Sequence, residues 1–151
     1  MIVFLALWIS APSLVPAAEK SGASVPVHGE IFDAETGRPL PARIYIEGSD
    51  GGWHFPQSAS EAGSAVRYER QRANTQSFER HTTLSAHPFR VDLPPGRYTF
   101  TVARGKEYLR EIRAIEVAPG MSRLDFRLRR WSDMSAAGWY SGDTHVHRPA
   151  A

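Results

Sequence analysis

The chain has 151 residues, enough for one domain of ordinary size, and 18 basic against 16 acidic side chains leave a net charge of +2. So small an imbalance gives no basis for a nucleic-acid or anionic-membrane partner. Cysteine is absent, which excludes disulfides, Cys-containing zinc sites, thiol nucleophiles and lipoprotein attachment, so the core alone must hold the fold.

Residues 1–18 carry no charged side chain, and Ile2 to Ile9 form a short apolar run with Phe4, Leu5, Leu7 and Trp8. Val15-Pro16-Ala17-Ala18 follows, with small residues where a signal peptidase cuts. The run is too short to span a bilayer and reads as a secretory signal peptide over 1–18, lacking only the usual Lys or Arg before it. The expectation is a secreted or periplasmic chain with no stable membrane insertion.

From Val25 the pattern has the period of a strand. Val27, Gly29 and Ile31 alternate with His28, Glu30 and Phe32. Asp33-Ala34-Glu35-Thr36-Gly37-Arg38-Pro39 marks a turn, and Ala42, Ile44 and Ile46 then alternate with Arg43, Tyr45 and Glu47. These two strands read as a hairpin or as neighbours in a sandwich. Trp53-His54-Phe55-Pro56 reads as a short strand stopped by its proline. Residues 57–77 show little periodicity beyond a short strand at Ala65 to Tyr68, and so long an irregular stretch points to a functional or solvated loop.

Phe78 to Leu84 and Pro88 to Leu93 give two further strands. Pro94-Pro95-Gly96 breaks the chain before the clearest strand of all, in which Tyr98, Phe100 and Val102 face one way. Tyr108 to Val117 returns with an alternation that slips between Ile112 and Ile115, as a β-bulge would make it. After Pro119-Gly120, Leu124, Phe126 and Leu128 alternate with Arg123, Asp125, Arg127 and Arg129. About seven short strands separated by Gly/Pro turns predict an all-β, antiparallel sandwich of the Ig/prealbumin kind over 25–130. Gly29 to Ala42 and Leu93 to Val102 resemble carboxypeptidase regulatory-like (transthyretin-like) domains, which implies the same fold and leaves activity open.

Residues 131–138 read as a small-residue connector, with Trp131, Trp139 and Tyr140 as aromatics suited to a domain junction. The chain then enters Gly138-Trp139-Tyr140-Ser141-Gly142-Asp143-Thr144-His145-Val146-His147. On an extended backbone, Asp143, His145 and His147 share one face at about 7 Å intervals. Two imidazoles so placed can ligate one divalent ion or neighbouring ions, with the carboxylate as a third ligand or as an orienter of an imidazole. This stretch resembles the opening strand of PHP-type metallohydrolases, in particular the carbaryl-hydrolase-like (CehA/McbA-type) enzymes.

The resemblance implies that His145 and His147, with Asp143, are metal ligands for Zn, Mn or Fe, and that 139–151 begins a (β/α) barrel whose remainder lies beyond this chain. The expected whole is an exported hydrolase that cleaves an ester, amide or phosphoester bond in a small molecule or phosphoester substrate with metal-activated water. The 151 residues would be its inactive N-terminal portion, and the missing barrel its first partner.

The sandwich itself shows no Gly-x-Ser-x-Gly elbow, His-Glu-x-x-His pair, phosphate loop or dinucleotide fingerprint. His28, His54, His81 and His87 are scattered through it and read as structural or surface residues. A second reading, from another class, is a secreted non-catalytic module that binds carbohydrate or protein through 57–77 and exposed aromatics. A purely structural prealbumin-like domain is a third.

Overall fold

A computed structural model describes residues 23–71, 78–140 and 142. The expected signal peptide and the residues from 143 onward lie outside them. The described chain is all-β. Its strands are β1 (Val25–Gly29), β2 (Ile31–Asp33), β3 (Ala42–Gly48), β4 (Trp53–His54), β5 (Gln57–Ser58) and β6 (Ala65–Gln71), followed by β7 (Phe78–Leu84), β8 (Phe89–Leu93), β9 (Gly96–Ala103), β10 (Glu111–Val117) and β11 (Phe126–Leu128).

One layer has the order β10-β9-β3-β7-β6, with the short β4 also paired to β3. The other is built from β1-β8-β5 and from β2-β11. Only Glu30 separates β1 from β2, and the alternation runs through it: Val25, Val27, Gly29, Ile31 and Asp33 all face inward. The second layer is therefore continuous in the order β5, β8, β1 with β2, β11. All pairings are antiparallel except that of β2 with β11, where Phe126 lies beside Ile31 and Leu128 beside Asp33. The parallel bridge from His28 to Arg123 keeps the same offset.

The core follows from this alternation. Val27, Ile44, Ile46, Phe89, Leu93, Phe100, Val102, Phe126 and Leu128 are fully buried between the layers. Outward positions on the same strands carry Arg43, Glu47, Arg90, Asp92, Arg97 and Arg127, all exposed. Phe100 and Phe126 meet across the layers at 5.9 Å between ring centres, and each fully buried aromatic side chain contributes about 2–3 kcal/mol by leaving water. The passage from β8 to β9 changes layer. Pro94 and Pro95, with no N–H to offer a ladder, end β8, and the buried Tyr98 hydroxyl donates to the Pro94 carbonyl at 2.8 Å.

One expectation narrows and two change. Of the two arrangements expected for the first two strand runs, the hairpin is excluded and the sandwich stands: β2 and β3 lie in its opposite layers, and β3 pairs with β4, β7 and β9. No bulge interrupts β10, whose register with β9 is unbroken from Glu111 opposite Val102 to Val117 opposite Gly96. Ile112 simply faces solvent on an edge strand. Within 57–71 the chain is ordered into β5 and β6, and all seven residues of β6 pair with β7. Its alternation is muted because β6 is an edge strand, with Val66 exposed and Ala65 and Tyr68 half-buried.

Gly29 is where the closing segment passes closest to β1. A Cβ there would meet the Leu124 carbonyl oxygen at 2.1 Å and the Phe89 ring at 2.5 Å. Gly37, at φ 67°, has open space around it, so a side chain there meets only the left-handed backbone penalty. Gly29→Ala should lower the unfolding free energy by about 3 kcal/mol or more, and Gly37→Ala by about 1–2 kcal/mol, both read from urea denaturation midpoints. Equal losses at the two positions would contradict this packing.

Candidate functional site

Asp143, His145 and His147 lie outside the described residues, so the structure bears on them through the segment that leads to them. That segment is fastened to the sandwich. Tyr108 bridges Arg130 in an antiparallel pairing, the Trp131 N–H donates to the Glu107 carbonyl at 2.9 Å, and the Trp131 indole N–H donates to the Lys106 carbonyl at 2.7 Å. Glu107 accepts from Arg130 at 2.6 Å and from the Met134 N–H at 2.9 Å. Arg130 also donates to Asp133 at 2.5 Å.

Asp133 in turn caps the following turn, accepting from the Ser135 hydroxyl and the Ala136 N–H. The Trp139 N–H closes that turn onto the Met134 carbonyl at 2.8 Å, with Gly138 in the left-handed region at φ 81°. The expected connector is thus a hydrogen-bonded turn. Glu107 and Asp133 are both held below the usual carboxylate range, Glu107 first by Arg130 and Asp133 first by the Ala136 N–H. On either side of this turn, Trp131 and Trp139 are each 65% exposed, and Tyr140 is 90% exposed.

The fastening reaches the core through Asp33. This buried carboxylate, at the inward-facing end of β2, accepts from the Glu35 and Thr36 N–H groups at 2.9 and 2.8 Å and from the Tyr108 hydroxyl at 2.8 Å. The Arg130 guanidinium lies 5.5 Å from the Tyr108 ring centre. The Thr36 N–H and the Tyr108 hydroxyl bring the Asp33 pKa down to about 2. Burial, reinforced by Asp33, pushes the Tyr108 phenol up.

The four histidines of the sandwich do not converge. His28 is exposed on the outer face of β1 and His87 accepts or donates at 3.0 Å with the Ser85 hydroxyl. His81 is buried between the Tyr45 and Tyr68 rings, 5.2 and 5.1 Å away. His54 meets the Tyr98 ring edge-on at 5.2 Å. Desolvation lowers the pKa of both His54 and His81. Among the described residues, no group of three or more His, Asp or Glu side chains is placed to hold an ion.

A second site has no counterpart in the motifs of the sequence. Between β4 and β5 the chain crosses from one layer to the other through Phe55 and the buried Pro56, and the crossing leaves a cavity of about 290 Å³. Trp53, His54 and Phe55 line it from one side, Gln57 and Arg67 from the strands that follow, and Arg90 and Asp92 from β8. The Arg67 guanidinium lies 4.0 Å over the Phe55 ring, and Arg90 holds Asp92 at 2.8 Å. The antiparallel pairing of β5 with β8 sets Gln57 beside Arg90, while Trp53 and Arg67 reach the cavity from β4 and β6 of the other layer.

No protein-family model matches this sequence, and a search of curated proteins also finds no match.

The acid limb of stability follows from these groups. His54 and His81 have folded pKa values below their unfolded values, so the unfolded chain binds more protons, and stability falls as pH drops below about 6.5. Asp33 adds a second loss, beginning as pH falls below the ordinary carboxylate value and complete once it passes about 2. Asp33→Asn should lower stability at neutral pH by about 1–3 kcal/mol and flatten the decline between pH 4 and 2, measured by urea unfolding across pH. An unchanged acid slope in that variant would contradict the role assigned to Asp33.

Proposed function

We propose that this chain is the N-terminal part of an exported PHP-type metallohydrolase. Its sandwich would be a carboxypeptidase regulatory-like accessory domain beside the barrel entrance. Residues 139–151 would be the first strand of the catalytic barrel, with His145 and His147 as metal ligands and Asp143 as a ligand or an orienter. Zn, Mn or Fe bound there would supply a water acidified toward neutral pH and a Lewis acid for an ester, amide or phosphoester.

The observation that carries this reading is the exit from the sandwich. The paired contacts of Glu107, Arg130 and Asp133 fix where the chain leaves. From that fixed point it leads through Trp131, Met134, Trp139 and Tyr140, all exposed, and in the sequence Asp143-Thr144-His145-Val146-His147 comes next. A free tail has no use for such anchoring, whereas a strand that must enter a second domain at a set angle does. The exposed aromatics are the surface that a barrel of the same chain would cover.

On this reading the 151-residue chain supplies at most three of the ligands that a multinuclear site needs. It should take up Zn²⁺ or Mn²⁺ weakly in a calorimetric titration, with His145→Ala/His147→Ala abolishing uptake and leaving the unfolding midpoint unchanged. It should not turn over a phosphodiester. Equal metal uptake by the double variant, or turnover by the chain itself, would contradict the proposal.

A further inference from the structure

We propose that the surface around Arg90, where β4 and β6 of the first layer meet β5 and β8 of the second, binds a neutral oligosaccharide of two or three units. The cavity at the β4–β5 crossing does not stand alone. A second, of about 400 Å³, adjoins it and is lined by His28, Ser58, Ser60 and Glu61. Gln57 and Arg90 line both cavities. The register explains the continuity: His28 on β1 and Gln57 on β5 both stand opposite Arg90 on β8. The result is a shallow groove that crosses three strands, with volumes in the range of small-molecule sites.

The chemistry of the lining selects the ligand class. Arg67 and Arg90 are balanced by Asp92 and Glu61, so the two cavities together carry no charge surplus that would attract an ion. Donors and acceptors are instead interleaved. Arg90 donates to Asp92 through Nε and Nη2 and has further N–H groups to offer, while the Gln57 amide provides both functions beside it. A sugar hydroxyl also donates and accepts at once, and a row of such groups matches a row of hydroxyls. At one end Trp53 and Phe55 supply apolar ring surface, and the Arg67 guanidinium stacked on Phe55 is held in place by it and by its ion pair with Glu69.

The pairs that orient the groove are inexpensive to rearrange. Arg90 and Asp92 have side chains 54% and 47% exposed, and exposed ion pairs of this kind contribute little to stability. A polyol can therefore take over part of the Arg90–Asp92 hydrogen bonding with little loss. The groove consists of described sandwich residues only, so the inference does not depend on the metallohydrolase reading.

The test is an NMR titration of the ¹⁵N-labelled chain with cellotriose, xylotriose, laminaritriose and maltotriose, and with trigalacturonate as the anionic counterpart. At least one neutral trisaccharide should shift the resonances of Gln57, Arg90 and Asp92 at an affinity that salt leaves unchanged. Arg90→Gln and Gln57→Ala, both at exposed positions, should each weaken it at least tenfold. Arg97→Ala on β9 and His145→Ala/His147→Ala should leave it unaltered. The inference is overturned if none of the neutral sugars binds, if only trigalacturonate binds with salt-sensitive affinity, or if Arg90→Gln retains full affinity with an unchanged unfolding midpoint.

Discussion

A buried carboxylate holds together the parts of this molecule that hydrophobic packing alone leaves unfixed. Asp33 sits at the inner end of β2, beside the parallel strand β11, and has no apolar surface to offer the core. Its place there depends on complete hydrogen bonding by the turn that follows it and by the Tyr108 hydroxyl, since a buried charge without partners costs several kcal/mol. Those bonds tie the 33–38 turn to the β9–β10 connection. Through Tyr108, Arg130 and Glu107 the same set of contacts fixes the point at which the chain leaves the sandwich.

The layer order then separates two regions of interest. The exit follows β11 at one edge of the second layer, while the groove around Arg90 and Gln57 lies toward β5 at the other. A domain packed against Trp131, Trp139 and Tyr140 would leave the groove open. In the proposed enzyme the sandwich would thus serve two ends of the same task, holding the first metal strand at one edge and a saccharide at the other.

Most of the fold was legible because inward and outward positions differ so sharply in chemistry. Val27, Ile44, Phe89, Phe100 and Phe126 announce their strands by alternation with outward-facing neighbours that are mostly polar or charged. Where that contrast fades, reading along the chain fails. Ile112 on β10 faces solvent and imitates a bulge, and β6, an edge strand with exposed Val66, imitates a loop. Parallel closure by β11 leaves no local signal beyond Gly29, whose missing side chain admits the Leu124 carbonyl. The groove was illegible for a related reason: Gln57 and Arg90 meet by the register of β5 with β8, Trp53 and Arg67 join them from the other layer, and neither relation can be read along the chain. The His-x-His motif is the opposite case, local in sequence and outside the described residues.

The most direct measurement is the nucleotide sequence downstream of codon 151. The account predicts an open frame that runs on for roughly 200–300 residues, one or two further domains' worth of chain, with additional His, Asp and Glu at the ends of predicted strands to complete the ligand set begun by His145 and His147. A stop codon directly after Ala151 would contradict it, and would leave a β-sandwich whose anchored exit leads to no second domain.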